Sequence, residues 1–174
     1  MAVWRKSRIH FFCEMTHYFS FFFLSISLLL CLPRILSAES ALLVRPQGGY
    51  GYLDANGGTA LAHVGMRVLM PASEKQRYGL ELTHFVPEKA ANFTSLGIVL
   101  EQRMWECFNM SIGTVGYLGY NGNSLNPFGL MTNLGWEPKS KGRWEPFITY
   151  RNDLIFSGRP DSLYSLSVGV SFKY

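Results

Sequence analysis

The end of the chain constrains its fold more than any other stretch. Tyr164, Leu166, Val168, Val170, Phe172 and Tyr174 are apolar or aromatic, and Ser165, Ser167, Gly169, Ser171 and Lys173 stand between them. Successive side chains of a strand point to opposite faces, so a strand here has one wholly apolar face and one small or polar face. A single strand of this kind cannot satisfy its own backbone or cover its own apolar face. It needs a sheet around it.

The rest of the chain supplies that sheet. After residue 38 no stretch of ten or more residues keeps a helical period. Alternation recurs instead in Ala41–Leu53, Thr59–Met70, Gln76–Phe85, Asn92–Trp105, Phe108–Tyr120, Phe128–Glu137 and Arg143–Phe156, with the C-terminal segment as the eighth. Breaks such as Asp54-Ala55-Asn56-Gly57-Gly58, Pro71-Ala72-Ser73 and Asn121-Gly122-Asn123 are hairpin signals. The first segment is the least regular, because Pro46 and Gly48-Gly49 interrupt it. Gly48-Gly49-Tyr50-Gly51 is no phosphate loop, since neither a helix nor Gly-Lys-Ser/Thr follows.

Net charge is +4 over 174 residues, but it is unevenly placed. Residues 1–38 hold Arg5, Lys6, Arg8 and Arg34 against Glu14, a net of +3, which leaves +1 for the remainder. No basic footprint for nucleic acid is left after residue 38. The leader has the layout of a secretory signal peptide: basic residues, an apolar run from Tyr18 to Leu32, then Ser37, Ala38, Ser40 and Ala41. Residues 1–38 are expected to be the signal and 39–174 one domain, with cleavage after Ala38 or Ser40 and an uncleaved anchor as the alternative. Met15 is an alternative start. Cys13 and Cys31 fall in the leader, so Cys107 has no intramolecular disulfide partner in the exported part.

The non-apolar face carries Arg67, Arg77, Glu81, Glu101, Arg103, Glu145, Arg151, Asp153 and Lys173, with both signs mixed. A lattice is expected in which Arg67, Arg103 and Arg151 pair with Glu81, Glu101 and Asp153. The segments run about 10–14 residues, longer than the soluble mode of about 5–6 and enough for the roughly 9–11 of a membrane-spanning strand. Aromatics gather near the segment ends: Trp136, Trp144, Phe172 and Tyr174 toward one rim, Tyr120, Phe128, Phe156 and Tyr164 toward the other. Two such girdles are expected of a transmembrane barrel. A soluble barrel with apolar side chains inside is the competing architecture.

This pattern resembles the small eight-stranded outer-membrane β-barrel proteins over essentially the whole exported part. The resemblance implies an all-β fold, an eight-stranded antiparallel up-and-down transmembrane barrel after a signal peptide, located in the outer membrane of a Gram-negative-type bacterium. It implies that Tyr164, Leu166, Val168, Val170, Phe172 and Tyr174 form the signal read by the barrel-assembly machinery. The implied partners are that machinery, outer-membrane lipid and lipopolysaccharide. The implied role is structural, envelope-integrity or surface interaction. Loops after segments one, three, five and seven are expected to be short, about five to seven residues, against the roughly 800 Å² per partner of a standard protein interface.

A partial resemblance to lipid A deacylase barrels implies a hydrolase as the alternative. Those proteins carry a His-x-Ser-Asn motif near the end of the penultimate strand. The matching stretch is Tyr150-Arg151-Asn152-Asp153-Leu154-Ile155-Phe156, where Asn152 or Arg151 takes the histidine position and Leu154 or Asp153 the serine position. Without an imidazole beside a hydroxyl there is no base to activate a nucleophile, so no catalytic residue is assigned. His63 is expected on the inward face, and His84 on the lipid face near the outer end of segment three, in reach of lipopolysaccharide headgroups. Neither histidine has a metal-binding spacing, so neither a metal nor any other cofactor is expected.

Overall fold

The computed structural model describes residues 42–55, 57–120, 126–138 and 144–174. The expected leader, with its cleavage site, lies outside the described residues. Eight strands form: β1 (Leu43–Asp54), β2 (Thr59–Pro71), β3 (Gln76–Pro87), β4 (Phe93–Arg103), β5 (Phe108–Leu118), β6 (Phe128–Trp136), β7 (Trp144–Phe156) and β8 (Pro160–Lys173). Each pairs antiparallel with its neighbour in sequence, and β1 pairs with β8, closing the barrel. Tyr174 N–H donates to Leu42 O at 2.9 Å and ties the two ends of the described chain together. Closure leaves no edge strand.

The strands sit where alternation puts them, with small differences at their ends. β8 begins at Pro160, inside the stretch expected to be a turn. Proline has no N–H to offer a ladder and is tolerated as the first residue of a strand. Pro46 lies within β1, and the β1–β8 ladder is interrupted there, between Val44↔Phe172 and Gln47↔Gly169, with the register unchanged. The connections 55–58 and 157–159 are shorter than expected.

The polarity is inverted relative to a water-soluble barrel. Facing outward are Val64, Leu82, Ile112, Leu134, Leu166 and Val168, all exposed. Facing inward and buried are Arg45, Arg67, Glu81, Glu101, Arg151 and Asp153. An apolar belt that runs round the whole barrel far exceeds the few hundred Å² that soluble monomers tolerate, so the surface is matched to hydrocarbon rather than water. Both chain termini of the barrel, and the β2–β3, β4–β5 and β6–β7 connections, lie at one end, called here the terminal end. The other four connections lie at the far end.

Candidate functional site

The lumen is filled in two layers of different chemistry. Near the terminal end, Arg45 of β1 reaches across the barrel. Its Nη1 donates to Glu101 Oε2 and its Nη2 to Glu137 Oε2, each at 2.6 Å, and its Nε donates to Ser171 Oγ at 2.9 Å. Ser171 Oγ in turn donates to Glu137 Oε1 at 2.8 Å. Arg77 Nη1 donates to Glu101 Oε1 at 3.0 Å. Burial alone would raise the carboxyl pKa of Glu137, which follows β6, but the Arg45 and Arg77 guanidinium groups outweigh it and hold it below its usual 4.5.

Deeper in the barrel, Arg67 Nε donates to Glu81 Oε2 at 2.7 Å. Arg151 bonds Glu81, reaches Asp153 Oδ2 at 2.6 Å and touches Thr83 and Ser95 at 3.3 Å. Tyr117 OH donates to Asp153 Oδ2. Arg67 Nη1 lies 3.5 Å from Glu101 Oε2 and links the two charge groups into one lattice. Satisfied on several sides, these buried charges meet the condition under which burial is tolerated.

Five of the six residues expected in the lattice therefore come together: Arg67, Glu81, Glu101, Arg151 and Asp153. Arg103 reaches the lattice only at its edge, through Glu137 and through none of its three expected partners. Its side chain is 30% exposed at the terminal rim, and its carboxylate neighbour is Glu137 at 3.9 Å. It stands at the last position of β4, where the strand runs out beyond the lumen. Arg77 and Glu145 do face inward, while Lys173 is exposed at the rim with Nζ 2.7 Å from Glu145 Oε1. Arg45 and Glu137 are central members that the sequence reading missed. Asn133, the Ser165 hydroxyl and His63 Nδ1 are buried with no hydrogen-bond partner among the described residues.

The far-end half of the lumen is apolar. Leu53, Leu61, Phe85, Phe93, Tyr117, Tyr120 and Leu163 belong to one buried cluster. Phe85 and Phe93 stack with centroids 4.8 Å apart, and Tyr120 meets Phe93 edge-on at 5.2 Å. Tyr120 was expected in the outward girdle and is instead inside. Gly119 has φ +77°, which reverses the chain after β5 and breaks the alternation. The Tyr120 ring then folds over the mouth of the lumen, and its hydroxyl donates to Asp161 Oδ2 at 2.9 Å. Burial, and after it this carboxylate partner, push the phenol pKa well above 10.

The outward face carries the remaining aromatics. Trp136, Trp144, Phe172 and Tyr174 are exposed toward the terminal end, and Phe128, Phe156 and Tyr164 toward the far end. Leu166 and Val168 are exposed between them, and Val170 is partly so. In the β7 stretch compared with the deacylase motif, Arg151 and Asp153 point inward, and Asn152 and Leu154 lie on the outward face. No imidazole stands beside a hydroxyl there among the described residues. Two such pairs exist elsewhere: His63 Nε2 lies 3.5 Å from Ser167 Oγ inside the lumen, and the second is on the lipid-facing side. His84 of β3 and Thr94 of β4 are cross-strand partners on the outward face, with Nδ1 and Oγ1 3.0 Å apart. Among the described residues no group of three or more His, Cys, Asp or Glu is placed to hold a metal ion.

No protein-family model matches the chain, and no curated protein matches it by sequence. Solved structures match it by shape. Neisserial surface protein A (NspA) superposes with a TM-score of 0.61 at 14% identity, over 76% of this chain and 97% of that one. The outer membrane protein OprG from Pseudomonas aeruginosa covers 78% of this chain and 96% of its own, at 10% identity and a TM-score of 0.46. Ail, the attachment invasion locus protein of Yersinia pestis, covers 78% and 98% at 8% identity and 0.44. At those last two scores the likeness adds nothing to the first. Closed topology, inverted polarity and the NspA superposition agree that the fold is that of a small eight-stranded outer-membrane β-barrel.

Proposed function

We propose that this chain is exported through an N-terminal signal, inserted in a Gram-negative-type outer membrane by the barrel-assembly machinery, and serves there as a non-conducting structural or surface-interaction protein. The observation that carries this reading is the doubly closed lumen. A charge lattice crosses it near the terminal end and an aromatic cluster crosses it near the far end, so neither half offers an aqueous path. The even strand count favours an orientation with both barrel termini in the periplasm and the far end outside. The short far-end connections, with the apolar belt, favour lipid and lipopolysaccharide as the principal neighbours.

The test is conductance in planar bilayers. The expected result is insertion, checked by heat-modifiable gel mobility, with no steady current. A stable open level would overturn the closed-lumen reading.

A second reading, a lipid-modifying enzyme, is favoured by one observation. The His84–Thr94 contact is a base beside a hydroxyl on the lipid-facing surface. It lacks an orienting acid, since among the described residues no carboxylate hydrogen-bonds to His84, and a dyad without that third group is a weak base arrangement. Mass spectrometry of lipid A from cells with and without the protein separates the readings. Unchanged lipid A supports the non-catalytic role, and loss of an acyl chain supports the enzyme.

A further inference from the structure

We propose that His84 and Thr94 form a polar notch on the β3–β4 hairpin that binds the headgroup phosphate of an outer-leaflet lipid. The proposal rests on the reading above that the far end faces the outer leaflet. Apart from Asp54 at the end of β1, His84 is the one imidazole, carboxylate, amine or guanidinium at an outward strand position among the described residues. Its surroundings are apolar: Leu82 and Val86 on its own strand, Val64 across on β2, and Leu96 and Leu118 beside Thr94. A donor in such a belt costs free energy unless it is paired.

Half of that need is met within the protein. With the Thr94 hydroxyl donating to Nδ1, the ring hydrogen sits on Nε2, and among the described residues no partner receives it. Nε2–H is then an outward donor close to the far end. Thr94 is one residue inside the start of β4, and His84 three residues short of the end of β3. That puts His84 about 7 Å from the end of its strand, for a rise of roughly 3.3 Å per residue and a tilt of about 45°, at the far margin of the apolar belt.

The turn above carries a lysine, and its backbone is held in place. Glu88 N–H donates to Ala60 O at 2.9 Å, and Lys89 N–H to Thr59 Oγ1 at 3.2 Å, so the turn is held to β2. Lys89, Glu88 and Asn92 are exposed there. A phosphate that accepts from His84 Nε2–H satisfies the imidazole, and the exposed Lys89 on the adjoining turn is a cation for its charge. Its acyl chains would run down the belt past Leu82 and Leu96. Thr94 acts here by fixing the tautomer and orientation of His84.

The experiment is native mass spectrometry of the full chain in a neutral sugar-headed detergent. The probes are dioleoyl phosphatidic acid, dioleoylglycerol and inorganic phosphate. Phosphatidic acid should be retained, and retention should fall about tenfold in His84→Gln and in Thr94→Val, the loss expected for one hydrogen bond to a charged group. Dioleoylglycerol, which has the ester carbonyls without the phosphate, should not be retained. Equal retention of both lipids, or retention unchanged in both variants, overturns the proposal. Inorganic phosphate retained as well as phosphatidic acid overturns the lipid as its source. Release of oleate by the wild type but not by His84→Gln overturns a binding role in favour of catalysis. Heat-modifiable mobility and strand circular dichroism of all three proteins show separately whether the barrel itself has formed, so failure of the notch and failure of the barrel reading are distinct results.

Discussion

The two halves of the lumen solve the same packing problem with opposite chemistry. Near the terminal end, long charged side chains cross the barrel: Arg45 joins β1 to Glu101 on β4 and to Glu137 after β6. Near the far end, rings and branched chains meet in the middle, with Phe85 stacked on Phe93 and Tyr120 edge-on to Phe93. The outward face shows no such division, because hydrocarbon makes the same demand at every depth. An eight-stranded interior is just wide enough for side chains to fill, so either chemistry can close it. The two differ in their response to damage. An apolar cluster loses a contact when one member is trimmed, whereas a charge lattice left with one partner missing keeps a buried charge it cannot neutralise.

Substitutions in each half should therefore break along this line. Arg151→Met should have the largest effect, about 3–5 kcal/mol, because it leaves Asp153 in the lumen without its cation and Glu81 with Arg67 alone. Denaturant unfolding in lipid vesicles measures it. Adding Asp153→Asn should return much of the loss, and no recovery would mean that the lattice is held by shape rather than charge. Val168→Arg, on the uniform outward face, should cost about 2–4 kcal/mol near the midplane, and Ser167→Thr, its inward neighbour, less. Equal costs would contradict the assignment of the two faces. Phe93→Leu in the apolar half should cost under about 1.5 kcal/mol in the same assay, since the cluster keeps most of its volume.

The smallest effect is one of pH. The Glu137 carboxyl is held below 4.5 in the folded barrel, so its stabilising contribution is complete above that pH and is lost as pH falls through the folded value. The stability difference between wild type and Glu137→Gln should be constant near neutrality and shrink below about pH 4.5, the ordinary carboxylate range. A difference that stays constant into acid would remove Glu137 from the lattice.

Alternation made the outward face legible, because one lipid-facing requirement repeats at every second residue. It also located Arg67, Glu81, Glu101, Arg151 and Asp153 on the inward face. It failed where the period is interrupted. Arg45 is hidden by Pro46 and the glycines that follow it, whereas Glu137 keeps the inward phase at the end of the sixth alternating segment. Tyr120 changes side because Gly119 turns the chain. The apolar far-end cluster was illegible for another reason. Where both faces of a strand are apolar, as at Phe85 and Val86 or Tyr117 and Leu118, hydropathy alone cannot separate them. The His84–Thr94 contact depends on register across the turn at 88–92, which spacing along the chain does not reveal.

The pairing of β1 with β8 has a consequence for assembly. Leu43↔Lys173 joins residues almost a full barrel's length apart in sequence, and closing a loop of that size costs roughly 4 kcal/mol of chain entropy. Hairpins formed in order spread that cost over seven short closures, which leaves the β1–β8 ladder as the last to form. An unclosed sheet would meanwhile hold two unpaired rims in hydrocarbon, each with a row of unsatisfied amides. The last seam to form is thus the one on which the rest depends, and the conversion from open ribbon to cylinder should behave as a single all-or-none event.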